Sequence, residues 1–123
     1  MNYLGVDYGE RRIGLAKASD GLKIATPLTT IGNDESVFDK LAKITAEESI
    51  DKIVVGLPIS FDGQENSFAK KIRVFASKLQ DIVGRPVVLQ NEIFSSKIAE
   101  MSSPETQDQS AAAIILQSFL DKK

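Results

Sequence analysis

Three acidic residues sit where a carboxylate is costly or oddly aimed: Asp7, Glu92 and Asp108. Asp7 interrupts the apolar run Leu4-Gly5-Val6, and a carboxylate near a sheet core needs a partner or a cation. Glu92 falls where the run Val87-Val88-Leu89 gives out, and ligands gather beyond the carboxyl ends of strands in α/β sheets. Asp108 shares helical spacing with Ala111, Ala112, Ile115 and Phe119, so it lies on the apolar stripe of the last helix, near its N-terminus. Each has an ordinary alternative: a turn bond to the backbone of Gly9 or Glu10, a solvated strand end, a helix cap. Together they form a set of hard oxygen donors suited to Mg²⁺ or Mn²⁺. Such a set suits phosphodiester hydrolysis, in which a divalent ion lowers the pKa of water and neutralises charge at the leaving oxygen.

Composition narrows the alternatives. The 123 residues include no cysteine and no histidine. Thiol nucleophiles, disulfides, cysteine/histidine zinc sites and Ser-His-Asp triads are therefore excluded. Any catalysis rests on carboxylates, amines, hydroxyls or a bound ion. A hydrophobic fraction of 42% and a charged fraction of 26% suit a globular domain, and the length suits one domain over residues 1–123. The net charge of −2 argues against a purely electrostatic nucleic-acid binder but not against an ion-dependent nuclease. No run is long and apolar enough to span a bilayer, and the N-terminus reads as a strand, not a signal peptide. The expectation is a cytoplasmic protein with no membrane partner.

The elements that position these residues follow from periodicity. Tyr3 to Tyr8 reads as a buried strand, Ile13 to Lys17 as a second and Leu22 to Leu28 as a third, with a turn at Asp20-Gly21. Asp34 to Ser49 reads as a helix with Val37, Leu41, Ile44 and Glu48 on one stripe. Lys52 to Gly56 reads as a strand and Glu65 to Val83 as the strongest helix, with Phe68, Ile72, Phe75, Leu79, Ile82 and Val83 on its apolar face. A strand from Pro86 to near Glu92 follows. A short helix over Phe94 to Glu100 and a last helix from Pro104 to Leu120 complete the order β-β-β-α-β-α-β-α-α. A meander followed by β-α-β units predicts an α/β fold: a mixed sheet with helices on both faces.

Gly9, two residues after Asp7, leaves room for a phosphate to approach the backbone. Ser95 and Ser96 could contact a phosphate. Lys70, Lys71, Arg73 and Lys78 lie on the polar side of their helix, read first as a solvated face and second as a phosphate-tracking surface.

These residues fall into four segments that resemble the YqgF/RuvX family, pre-16S rRNA nucleases also described as Holliday junction resolvases. The segments are Leu4-Gly5-Val6-Asp7-Tyr8-Gly9 through Arg12-Ile13-Gly14, Ile53 to Pro58 with Asp62-Gly63, Asn91-Glu92 with Ser95-Ser96, and Asp108 with Ala111-Ala112 and Ile115-Leu116-Gln117. The resemblance covers essentially the whole chain. It implies an RNase H-like fold with a five-stranded sheet in the order 3-2-1-4-5, and metal-dependent nuclease chemistry on Asp7, Glu92 and Asp108. It also implies a phosphate contact at Arg12.

The chain departs from the family pattern twice. Asn91-Glu92-Ile93 stands where Asp-Glu-Arg is usual, and Met101 to Gln107 is short and carries no Lys or Arg. The short non-basic segment, with the low pI of about 5.2, makes four-way-junction cleavage less credible than action on a simpler RNA end, and the expected substrate is the 5′ end of a precursor 16S rRNA. The alternatives are a Holliday junction resolvase, which needs a dimer for paired cuts, with Phe61 and Phe94 as candidate surface residues, and a non-catalytic nucleic-acid-binding module. The assembly expected is a monomer or a homodimer.

Overall fold

The computed structural model describes residues 1–59, 66–93 and 107–122, and of residues 93 and 107–109 the backbone alone. The described elements are strands β1 (Asn2–Tyr8), β2 (Arg12–Ser19) and β3 (Thr26–Gly32), helix α1 (Val37–Glu47), strand β4 (Lys52–Ile59), helix α2 (Ser67–Val83), strand β5 (Val87–Ile93) and helix α3 (Gln107–Asp121). They build a five-stranded sheet in the order β3-β2-β1-β4-β5. β1, β2 and β3 form an antiparallel meander, whereas β4 runs parallel to both β1 and β5. This is the RNase H-like topology that the four segments imply.

The sheet separates two apolar layers. Side chains alternate across a strand, so neighbours in β1 serve opposite faces. Leu4 and Val6 join Ile53, Val55, Leu57 and the apolar sides of α1 and α2 in one core. Tyr3 joins Ala16, Ala18 and Val54 in the other, against Ala112, Ile115, Leu116 and Leu120 of α3. Both layers are dry at their centres, with Leu4, Tyr3, Leu41, Leu79 and Leu116 fully buried. At about 25 cal/mol per Å² of apolar surface, each such side chain contributes about 1.5–3 kcal/mol before entropy is counted.

Local chemistry sets the helix ends. The Asn66 side chain accepts a hydrogen bond from the Ala69 amide at 2.9 Å and starts α2, and Gly84 ends it in the left-handed region at φ 73°. Before α1, Asp34 fixes the residue that precedes the helix: its Oδ1 accepts from the Ser36 amide at 2.9 Å and from the Ser36 hydroxyl at 2.6 Å. Of the apolar positions read for α2, Ile72, Phe75 and Leu79 are buried, while Ile82 in the last turn is 53% exposed.

β3 begins four residues later than the apolar pattern Leu22 to Leu28 suggests. Leu22 and Ile24 are 75% and 61% exposed instead of pairing in the sheet. The chain turns tightly after β2: Lys23 adopts φ 56° and its amide donates to the Ser19 carbonyl. Gln117 of α3 then captures the connection, its Oε1 accepting from the Ala25 amide at 2.9 Å and its Nε2 donating to the Lys23 carbonyl at 3.1 Å. Tertiary hydrogen bonds thus hold a segment whose composition alone reads as strand. β4 extends to Ile59, three residues past Gly56, because β5 offers a parallel partner along the whole run. The expected helix over Phe94 to Glu100, the residues 104–106 expected to open the last helix, and Phe61 lie outside the described residues.

Candidate metal centre and nuclease site

Asp7 is the penultimate residue of β1 and is half-buried, paired across the antiparallel ladder with Gly14. Strand alternation puts it on the face shared by Tyr3 and Gly5, which is the α3 face. Glu92 is the penultimate residue of β5 and stands beside Pro58 of β4. It alternates with Val88, which packs against the α3 core, so its side chain belongs to the same face. β1, β4 and β5 are mutually parallel, so Asp7 and Glu92 emerge at the same edge of the sheet. Carrying the β1–β4 register one residue past Val6–Val55 sets Asp7 level with Gly56, which is level with Gln90. Glu92 is one same-face position beyond Gln90. The two Cα atoms are thus separated by two strands, about 10 Å across, and about 7 Å along the strands.

α3 runs antiparallel to β1. Its Ala112 lies against Gly5, and its Phe119 ring sits 5.7 Å from the Tyr3 ring farther down the strand. The N-terminal end of the helix is therefore at the edge where Asp7 emerges. Asp108 is one helical turn before Ala112, about 6 Å along the axis. Asp7 is two strand residues past Gly5, about 7 Å in the same direction. The backbone of Asp108 thus overhangs the end of β1, and its side chain lies outside the described residues.

This overhang depends on a close approach. A Cβ at Gly5 would lie 2.7 Å from Leu116 Cβ and 2.9 Å from the Ala112 carbonyl oxygen. A Cβ at Gly56 would meet Ile115 Cδ1 at 2.5 Å. Two strands without side chains here, and an alanine on the helix, let α3 settle directly on the sheet.

Glu92 has a partner that sequence reasoning missed. Gln90, only 5% exposed, donates from Nε2 to Glu92 Oε1 at 3.2 Å. The available signal was a glutamine in an apolar strand at the position two before a candidate ligand. A buried amide that orients a carboxylate is the usual support for an ion-binding group.

The remaining candidates separate. Gly9 follows β1, and a Cβ there would lie 2.4 Å from the Arg12 carbonyl oxygen, so the hairpin itself requires a glycine. Its carbonyl accepts from Asn33 Nδ2 at 2.8 Å. Arg12 opens β2 and is exposed, at the same edge of the sheet as Asp7. Ser95 and Ser96 lie outside the described residues. Among the described residues no three Asp, Glu, His or Cys side chains form a group that could hold an ion. By its chemistry the donor set suits a hard divalent cation: two carboxylates share one face and one edge, and the third acid belongs to the helical turn above them.

The family model for RuvX, described as a Holliday junction resolvase, matches residues 1–122. The chain belongs to the RuvX family. It is 41% identical to a protein of Anaeromyxobacter sp. (strain Fw109-5) named "Putative pre-16S rRNA nuclease", over 98% of this chain and 97% of that one. A protein of the same name from Chloroflexus aggregans is 36% identical over 98% of this chain and 93% of its own. Among solved structures, the T. thermophilus RuvC in complex with Holliday junction substrate superposes with a TM-score of 0.65 at 14% identity, covering 99% of this chain and 95% of that one. The Fowlpox virus resolvase in complex with Holliday junction DNA gives 0.62 at 13% identity, covering 99% and 98%. As a RuvX-family nuclease the chain is a hydrolase of phosphodiester bonds, and its partner is nucleic acid. None of its described helices is long and apolar enough to cross a membrane.

Proposed function

We propose that this RuvX-family chain processes the 5′ end of precursor 16S rRNA, with Asp7, Glu92 and Asp108 holding Mg²⁺ or Mn²⁺. One observation carries the reading: Asp7 and Glu92 leave parallel strands on one face at one edge, beneath the N-terminal turn of α3 that contains Asp108. A bound divalent ion supplies Lewis acidity, which acidifies water and neutralises charge on the phosphate. The protein supplies the rest. Gln90 keeps the Glu92 carboxylate aimed along the face. The helix N-terminus adds partial positive charge near the phosphate. Arg12, at the same edge, adds a guanidinium that can grip a phosphate through two hydrogen bonds. Gly9 lets the turn close tightly enough to bring Arg12 near the end of β1, and its backbone, with the Ser95 and Ser96 hydroxyls, contributes to the phosphate contacts.

RNA is the preferred substrate because the curated relatives are named for it, and because the segment before α3 has no basic residue to embrace a four-way junction. The reading takes residues 1–123 as one domain working in the cytoplasm. The test is cleavage of labelled precursor rRNA fragments and of a four-way DNA junction with Mg²⁺ or Mn²⁺, comparing wild type with Asp7→Asn and Asp108→Asn. Ion-dependent RNA cleavage that both variants lose by at least about a hundredfold supports the site. Junction cleavage by a dimer selects the resolvase instead. Binding without cleavage by wild type selects a non-catalytic module.

A further inference from the structure

On the other face of the sheet from α3, a groove of about 440 Å³ runs between α1 and α2. Its floor is aromatic: the half-buried Tyr8 and Phe38 rings pack on Phe75, itself only 6% exposed, with ring centres 4.7 and 5.5 Å from it. Its α2 wall presents Ser67, Lys70, Lys71, Val74 and Lys78, which recur at intervals of three and four and so share one helical face. Among the described residues no carboxylate lines it. Lys71 reaches Glu10 at 3.4 Å across an exposed gap, and among the described residues neither Lys70 nor Lys78 has an ion-pair partner. In a chain of net charge −2, three ammonium groups around one groove are a local reversal of sign. Val74, 58% exposed, stands among them.

The groove reaches the end of β1 from the face of the sheet opposite the candidate site. Tyr8 lines it and directly follows Asp7, and Asn33 lines its end while its amide holds the Gly9 carbonyl at 2.8 Å. A strand that runs from Asp7 to the groove has to round the β1–β2 turn from one face of the sheet to the other.

We infer that the α1–α2 groove binds the single-stranded stretch of nucleic acid flanking the cut, with Lys70 and Lys78 on its phosphates and the aromatic floor beneath its sugars and bases. The inference rests on the nuclease reading above. Lysine ammonium groups are mobile point charges that neutralise phosphates without reading sequence. Ring faces accept any base, which suits a flanking segment of arbitrary sequence. Lys70 and Lys78 are about 12 Å apart along the helix, enough to engage more than one phosphate. A duplex keeps its bases stacked inside and cannot offer them to the ring faces, so a single strand suits the groove better.

The test is fluorescence anisotropy with a labelled single-stranded RNA of about ten nucleotides, without divalent ions, across a salt series. Wild type is compared with Lys70→Gln/Lys78→Gln and with Lys43→Gln, a lysine of α1 that does not line the groove. Losing two phosphate contacts flattens the slope of log affinity against log salt by about 1.4. Between about 50 and 200 mM salt, wild type then loses roughly sevenfold more affinity than the double variant. Lys43→Gln follows wild type, and a duplex of the same sequence binds more weakly. Equal slopes for wild type and double variant overturn the inference, as does a wild type that fails to bind the strand. Because binding is read without divalent ions, it stands apart from the cleavage experiment. Loss of the carboxylate assignment would leave this measurement intact, and the reverse also holds.

Discussion

The buried amide of Gln90 donates to the Glu92 carboxylate at 3.2 Å, two residues apart on one face of β5. The bond engages Oε1 of the carboxylate. If Glu92 holds a divalent ion, Gln90 is a positioning residue. Gln90→Leu, of similar volume, is expected to leave the fold intact and raise the ion concentration for half-maximal cleavage about 10–100-fold. A metal titration of cleavage rate measures this, with near-ultraviolet circular dichroism reporting on packing. An unchanged titration curve would remove Gln90 from the site.

The contact of α3 with the sheet predicts an asymmetry between two glycines. Gly5→Ala drives a methyl against a backbone oxygen, whereas Gly56→Ala meets the end of the Ile115 side chain. Overpacking costs about 1–3 kcal/mol, and Gly5→Ala should lie at the upper end because backbone cannot swing aside. It should also lift the N-terminal turn of α3 and reduce cleavage more than its stability loss explains. Chemical denaturation and cleavage rates of both variants test this. Equal costs for the two would contradict the packing described.

Gln117 bridges α3 to the β2–β3 connection through the Ala25 amide and the Lys23 carbonyl. Gln117→Ala leaves both groups to water and is expected to cost about 1–2 kcal/mol. Hydrogen exchange at the Ala25 amide should accelerate strongly, while protection in β1 and β4 falls only with global stability. A protected Ala25 amide in the variant would show that the loop holds itself.

Asp34 carries the pH prediction. The hydroxyl and amide of Ser36 hold its carboxyl below the ordinary value of 3.8, with Lys40 assisting. A carboxylate with a lowered folded-state pKa contributes stability that is complete above the unfolded value and disappears as pH falls through the folded value. Asp34→Ala should therefore lower the melting temperature at neutral pH. The difference from wild type should shrink as pH drops below 3.8. A difference independent of pH would mean that Asp34 acts through its shape and not its charge.

How far the primary structure reveals this molecule depends on the range of the interaction. Strands β1, β4 and β5 and helices α1 and α2 are visible in their apolar patterns because burial on one or both faces imposes a short period. Asp7 and Glu92 stand out because a charge inside or just past such a run has few inexpensive explanations. The third strand misleads: Leu22 and Ile24 look like sheet residues, yet hydrogen bonds from Gln117, more than ninety residues away, hold that segment outside the ladder.

Composition and local period were enough to name the carboxylates, rule out thiol and imidazole chemistry, and outline the layers. Only the assembled chain decided that Asp7 and Glu92 share a face and an edge, since which way neighbouring strands run is set by crossover connections and not by any strand's own residues. The same holds for the amide behind Glu92, the glycines beneath α3 and the lysines around the second groove. Each is a contact between segments far apart along the chain, and a local pattern records which face a residue occupies but not what arrives opposite it.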